Sequence, residues 1–369
     1  MTQVAHVAVA VVSVALIGAV LWDAFETVIL PRSVVRRFRL ARALVRGIWF
    51  PWRLIAARMR PARSERFLAF FGPLALLALI AIWAMFLVFG FAGLQWADGS
   101  RLSSLTPNTW FIDDLYMSGT TFTTLGIGDV HPVGRTARIL TVVEAATGFA
   151  FLAIVVAYLP VLYQSFSRRE AQLTVLDAWA GSPPAAAEVL RRLATRSELP
   201  LLAGFLKDWE FWSSDVLESH ISYPTVGFFR SQHQKQSWVS ALACLLDLSA
   251  LIEVGIDGIP TWQAHVTFAI ARHTVVDLAQ VFRVSIAAGE DRLSDAEFDR
   301  MCDQLAAVGV RVLDTPDARK RLRAIRESYE PYLFGLSRML MMPLPPWWNE
   351  RPPRDNWQSS PRGLAEAHL

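Results

Sequence analysis

Cysteine is nearly absent from the 369-residue chain: Cys244 and Cys302 are the two present, far along it and in helix-like sequence. They form no metal-ligand spacing and no disulfide framework, and a reducing environment for the C-terminal half fits this usage. Charge is missing over long stretches. Phe67 to Leu94 holds none in 28 residues, Ile139 to Tyr163 holds Glu144 alone, and the ionisable groups from Val4 to Leu30 are His6, Asp23 and Glu26. No glycine-rich dinucleotide loop follows a strand in residues 170–340, so a Rossmann domain is not expected. No nucleophile–base or paired-carboxylate pattern stands out, and an enzyme is not expected either. Apolar helices with arginine at every third position are also missing, which argues against a voltage sensor. His220, His233, His265 and His273 make no tight i,i+4 pair with another ligand, so neither a metal site nor any cofactor is anticipated.

What the chain has is apolar length. It is 53% hydrophobic with a mean hydropathy of +0.32. A helix crosses the roughly 30 Å hydrocarbon core with about 20 residues, and each of the three low-charge segments is long enough. The first lacks a basic n-region and a small-x-small cleavage site before Asp23 and Glu26, so it reads as a span and not a removed leader. The expected fold class is an all-α membrane protein with three spans.

Arginine sets the expected orientation. Residues 31–66 contain eleven Arg and one acid, Glu65, and Arg168-Arg169 follow the third span. The stretch between spans two and three instead carries Asp98, Asp113, Asp114 and Asp129 against Arg101. By the positive-inside bias, 31–66 and everything from 168 onward are expected in the cytoplasm, and 95–137 outside, in the plasma membrane. The formal net charge of +3 hides this segregation.

The chain therefore divides into an N-terminal transmembrane helix (1–30), a basic linker (31–66), an apolar two-span region (67–166), a helical domain (167–341) and a tail (342–369). In the linker Val34, Phe38, Ala41, Val45, Ile48, Trp49, Trp52 and Ile55 recur at three to four among arginines. That pattern predicts a basic amphipathic helix, broken near Pro51, suited to an anionic inner leaflet over 32–66. A charged linker that binds nothing has the same composition. In the helical domain, Ser294-Asp-Ala-Glu297 is a capping box. Thr315-Pro316 is an N-cap followed by proline at the first helical position. Residues 233–254 and 262–282 read as two further helices. The tail, "PLPPWWNERPPRDNWQSSPRGLAEAHL", is Pro-rich and expected to be disordered.

Between the second and third spans lies "TTFTTLGIGDV", Thr120 to Val130, preceded by the uncharged "LYMSG". Non-helical backbone at membrane depth is tolerated where it lines a water-filled path or is buried in protein. A short helix stopping partway points the negative end of its dipole at the membrane centre, which favours a cation. The glycines allow the unusual backbone angles that successive inward carbonyls require.

Thr124, Leu125, Gly126, Ile127, Gly128 and Asp129, set between two apolar helices, resemble the filter of the potassium-channel superfamily, Thr-Val-Gly-Tyr/Phe-Gly-Asp. His131-Pro132 resembles the exit from that filter, Arg138 the head of the inner helix, and Gly148 its hinge. The resemblance covers about residues 67–166. It implies a tetrameric pore-loop core of outer helix, pore helix, filter and inner helix, assembled as a homotetramer with potassium in transit and no resident metal. Carbonyls of Thr124, Leu125, Gly126 and Ile127, with the Thr124 hydroxyl, would replace the ion's water shell. Ile127 departs from the pattern, because an aliphatic side chain cannot hydrogen-bond to the supporting helix.

Thr123 and Asp129 are expected to support the filter. Glu144, one turn before Gly148, either supports it from behind or forms a salt bridge to Arg101 or Arg138. Asp23 and Glu26 are expected to pair with arginines or to cap the next helix. Pro160 should bend the inner helix near a gate, with Gly148 as the hinge. The alternative to a cation channel is a membrane-anchored sensory or scaffolding protein with a non-conducting pore-like fold. Its helical domain would bind a ligand or protein. Nucleic acid is not an expected partner of either.

Overall fold

A computed structural model describes residues 3–30, 40–99, 102–103, 110–232, 235–286 and 289–350. The chain is mostly helical and divides into two compact units, at Tyr163–Gln164.

The first unit contains α1 (Gln3–Val28), α2 (Leu40–Ala56), α3 (Pro61–Ala69), α4 (Phe71–Ala97) and α5 (Phe111–Phe122). The two-residue strands β1 (Leu102–Ser103) and β2 (His131–Pro132) pair antiparallel, and α6 (Arg135–Ala180) begins after them. Three stretches, Gln3–Val28, Pro61–Ala97 and Arg135–Ala180, are long and apolar enough to cross a membrane. Their exposed apolar side chains, such as Val11, Leu77 and Val156, suit lipid as solvent.

α1 lies along α4 because α4 presents glycine to it. A Cβ at Gly90 would meet Ile17 Cγ1 at 2.6 Å, and one at Gly93 would overlap the Ser13 hydroxyl. Such small-residue contacts let helices approach closely where no hydrophobic force drives them together. Below that contact Val20 and Ala24 pack with Leu79, Trp83 and Leu87. Asp23 joins three helices there: its carboxylate accepts from the Leu40 and Ala41 amides at 3.0 and 3.1 Å and from Trp83 Nε1 at 3.0 Å. Asp23 thus caps α2, one of the roles expected of it, while Glu26 accepts from Trp22 Nε1 at 2.7 Å.

α2 differs from expectation at Pro51, where the helix continues to Ala56. Aromatic packing on either side holds the helix: Trp49 on Phe71 at 4.6 Å between centroids, and Trp52 stacked on Phe67 at 4.4 Å. Val34 and Phe38 of the expected pattern lie outside the described residues.

α6 extends well past the expected end near Tyr163, and is helical through both Gly148 and Pro160. Its last part belongs to the second unit, with α7 (Ala186–Thr195), α8 (Leu202–Ser222) and α9 (Trp238–Val254). The same unit holds α10 (Trp262–Val281), α11 (Asp295–Ala307), α12 (Pro316–Glu327) and α13 (Glu330–Leu340). α9 is its central helix, buried on all sides and flanked by α8, α10, α12 and α13. Ser237, Ser294 and Thr315 cap α9, α11 and α12 through their side chains.

The described histidines of this unit, His220, His265 and His273, have local partners. Burial and the adjacent Arg169 guanidinium hold His220 well below its ordinary pKa. Neutral, it donates from Nδ1 to the Val216 carbonyl at 2.8 Å and accepts from Arg169 at Nε2 at 3.1 Å. His265 contacts Glu253, and His273 contacts Asp277 at 3.2 Å, an i,i+4 pair that differs from the expected absence of one. His233 lies outside the described residues.

The first part of the tail is packed and not disordered, which corrects the compositional expectation. Met342 and Trp347 are fully buried. The Trp347 carbonyl accepts from the Ala187 amide at 3.0 Å, and the Pro345 carbonyl from Arg292 at 2.8 Å. The Trp347 ring takes the Arg292 and Arg326 guanidiniums at 5.9 and 5.5 Å. Proline fixes the backbone in advance and tryptophan supplies apolar area, so the segment docks without regular structure. Residues 351–369 lie outside the described part.

Candidate functional site

α5 opens with Asp113 and Asp114 in its first turn, where carboxylates favour the positive end of the helix dipole, and Asp113 accepts from the Trp110 amide at 2.9 Å. The helix stops at Phe122. Thr123 follows as its C-cap, with its hydroxyl donating to the Gly119 carbonyl at 2.7 Å.

Beyond this point the backbone alternates in hand. Thr124, Gly126 and Gly128 have φ of +59°, +52° and +84°, and Leu125 and Ile127 between them do not share the positive sign. Only glycine enters this region readily, so its use at 126 and 128 follows from the conformation, and Thr124 is held there as a non-glycine exception.

Two hydrogen bonds set which way the carbonyls turn. The Leu125 and Gly126 amides both donate to the Thr120 carbonyl on α5, at 2.8 and 3.0 Å. In a trans peptide N–H and C=O point in opposite directions. The carbonyls of Thr124 and Leu125 are therefore turned away from the supporting helix, toward the open side. Thr123 to Asp129 are all exposed there in the single chain. A Cβ at Gly126 or Gly128 would meet nothing within 4 Å.

The segment is tied at its far end as well. Tyr116 Oη on α5 donates to the Asp129 carboxylate, with its two oxygens at 3.1 and 3.3 Å. Asp129 is expected in a supporting role from its motif position, but its partner Tyr116 is not legible in the sequence. Asp129 also accepts from the Val130 amide at 3.0 Å. β1 and β2 then fasten the strand leaving the segment to the chain that follows α4.

Behind α5, Ser118 joins the helices. Its hydroxyl lies 2.8 Å from the Val88 carbonyl on α4 and bonds to the Glu144 carboxylate on α6. Glu144 is fully buried and, among the described residues, its carboxylate meets the back of α5 through Ser118. Arg138 instead donates to the Pro132 carbonyl at 3.3 Å, and Arg101 lies outside the described residues. Gln95 was missed from the sequence: it joins α4 to α6 through the Ala137 carbonyl at 3.1 Å and the Thr141 hydroxyl at 3.2 Å.

Gly148 lies where α6 crosses the end of α5. A Cβ there would overlap the Phe122 carbonyl oxygen, which is backbone and cannot rotate away. The glycine thus has a close-packing reason to be present, besides the hinge expected of it. Pro160 lies farther along the same unbroken helix. Among the described residues no three His, Cys, Asp or Glu side chains are grouped so as to hold a metal ion.

Residues 74–164 match the model of a family described as "Ion channel". The match spans α4, α5, the alternating segment and the membrane part of α6, and the pore-loop channel resemblance stands over those residues. The chain is also 27% identical over 232 residues to the uncharacterized membrane protein YdjJ of Bacillus subtilis (strain 168), covering 59% of this chain and 62% of that one. It thus spans less than two thirds of the length of that relative. No solved structure matches. Residues 74–164 are thus similar to an ion-channel domain, within a chain that has three described stretches long and apolar enough to cross a membrane; α1, α2, α3 and nearly all of the second unit lie outside the matched segment.

Proposed function

We propose that the protein is a cation channel that favours potassium, built as a homotetramer around the segment Thr124–Gly128. The observation that carries this reading is the pair of amides of Leu125 and Gly126 on the Thr120 carbonyl. They turn the preceding carbonyls to the open side, as replacement of an ion's hydration shell demands. One such loop cannot surround an ion. Closed rotational symmetry supplies the other copies, with the exposed segment facing the common axis. Glu144, through Ser118, and Asp129, through Tyr116, hold the filter from behind and at its exit, and Thr123 ends the pore helix beneath it. Gly148 and Pro160 remain the positions at which the inner helix would bend to gate.

Three expectations follow. Tags at Gly99 should be reached from outside the cell and tags at Arg63 and Ser182 from within, because of the arginine asymmetry. A cytoplasmic Gly99 ends the reading. Tyr116→Phe removes the donor to Asp129 without changing volume. It should lower flux per tetramer at unchanged tetramer yield, and equal flux would leave the tie without a role in conduction. Ile127 gives the filter apolar bulk without a donor, so sodium or rubidium should be discriminated against less strongly than by an aromatic filter. Ile127→Tyr should sharpen that selectivity if its pocket has room, and destabilise the tetramer by about 1–3 kcal/mol if it does not. Reversal potentials in paired potassium and sodium solutions read both; a wild type excluding sodium fully and a variant identical to it would show that this position is neutral.

A further inference from the structure

α2 has two apolar faces, and the first unit occupies one. Ala41, Trp49 and Ala56 are buried against α1, α3 and α4. The other face is open: Phe50, Leu54 and Ile55 are 66%, 44% and 47% exposed, although each is a large apolar side chain. α2 ends at Ala56, and directly after it exposed arginines follow at 58, 60, 63 and 66, through the turn and along α3. Residues 40–66 carry seven Arg against the single acid Glu65.

The position of α2 decides what covers this face. Its first turn is capped by Asp23, near the end of α1, and its middle packs on Phe71, the first residue of α4. Both of those helices belong to stretches long and apolar enough to span a membrane. α2 is therefore held at the level where hydrocarbon gives way to headgroups. A helix there with exposed aromatic and aliphatic groups beside guanidiniums matches acyl chains next to phosphate.

We infer that the open face of α2 and the α2–α3 elbow form a binding surface for anionic phospholipid, with Phe50, Leu54 and Ile55 against acyl chains and Arg58, Arg60 and Arg63 on headgroup phosphate. The same contact regulates the channel. Asp23 joins α2 to α4 through Trp83, so lipid that seats α2 also fixes the outer helix. The surface rests on the membrane placement of these helices; its effect on flux rests in addition on the proposed conduction.

The test uses the purified full chain in vesicles of zwitterionic phosphatidylcholine, with and without a quarter phosphatidylglycerol. Lipid retained after extraction is counted by native mass spectrometry, and potassium flux is measured in parallel. Arg58→Gln, Arg60→Gln and Arg63→Gln together should reduce retained phosphatidylglycerol at least tenfold and flatten the dependence of flux on it. The matching lysine replacements should retain most of both, because charge is kept. Arg196→Gln, Arg311→Gln and Arg321→Gln, an equal loss of charge on the second unit, should change neither. Equal retention by the wild type and the glutamine triple variant overturns the proposal. So does efficient disulfide crosslinking of Leu54→Cys between copies, which would assign the face to a second chain. Retention that follows the arginines with no flux in any vesicle keeps the lipid surface and removes the conduction reading and the regulation with it.

Discussion

Gly126→Ala and Gly128→Ala should each abolish potassium flux from reconstituted vesicles, while crosslinked tetramer yield stays near wild type. Both glycines hold positive φ, +52° and +84°. A Cβ in the left-handed region costs roughly 1–2 kcal/mol per residue, and in a fourfold ring it is incurred four times. Relaxing out of that region would change the backbone path of the proposed filter at and after the peptides that the Thr120 carbonyl holds. Among the described residues other than its chain neighbours, nothing lies within 4 Å of either Cβ position, so the fold of the single subunit should tolerate the change. The loss is therefore expected in conduction and not in assembly. Normal flux through both variants would place the ion path elsewhere.

Gly148→Ala should act on the other side of that balance. Its methyl group would overlap the Phe122 carbonyl, and the last residue of α5 would have to move. Overpacking of this kind costs about 1–3 kcal/mol, occasionally more. Displacing Phe122 also displaces Thr123 and Thr124 directly after it. Expected together are a lower tetramer melting temperature and a flux reduced at least tenfold. A glycine that serves only as a hinge predicts otherwise: unchanged melting, with an altered fraction of time open. Unchanged melting in Gly148→Ala would return the residue to that role alone.

What the sequence discloses depends on how local the physical demand is. The alternating segment is visible because a backbone that must enter left-handed conformations writes glycine at fixed spacing. The spans are visible because a membrane removes charge over 20 or so consecutive residues. Capping by Ser294 and Thr315 likewise needs only residues within one turn, whereas the Ser237 cap, which starts α9 at Trp238, was not read from the sequence. Contacts that depend on helix phase are hidden. Tyr116 and Asp129 are thirteen residues apart, and their bond follows only once α5 ends at Phe122 and the chain doubles back. Gln95 bonding to Ala137 and Thr141 needs the crossing of two spans to be known. Composition misled in the tail, where proline suggested disorder although Trp347 fills a buried position between two arginines. At Pro51 a rule about single residues gave way to tertiary packing, through Trp49 on Phe71 and Trp52 on Phe67.

Conduction itself is tested most directly by cation flux through the purified wild-type protein in lipid vesicles under a potassium gradient, with sodium substituted on one side. The account predicts flux well above that of empty vesicles, a reversal potential displaced toward that of potassium, and measurable sodium passage. A protein that assembles and inserts in the membrane yet passes neither ion above the empty-vesicle rate would contradict it.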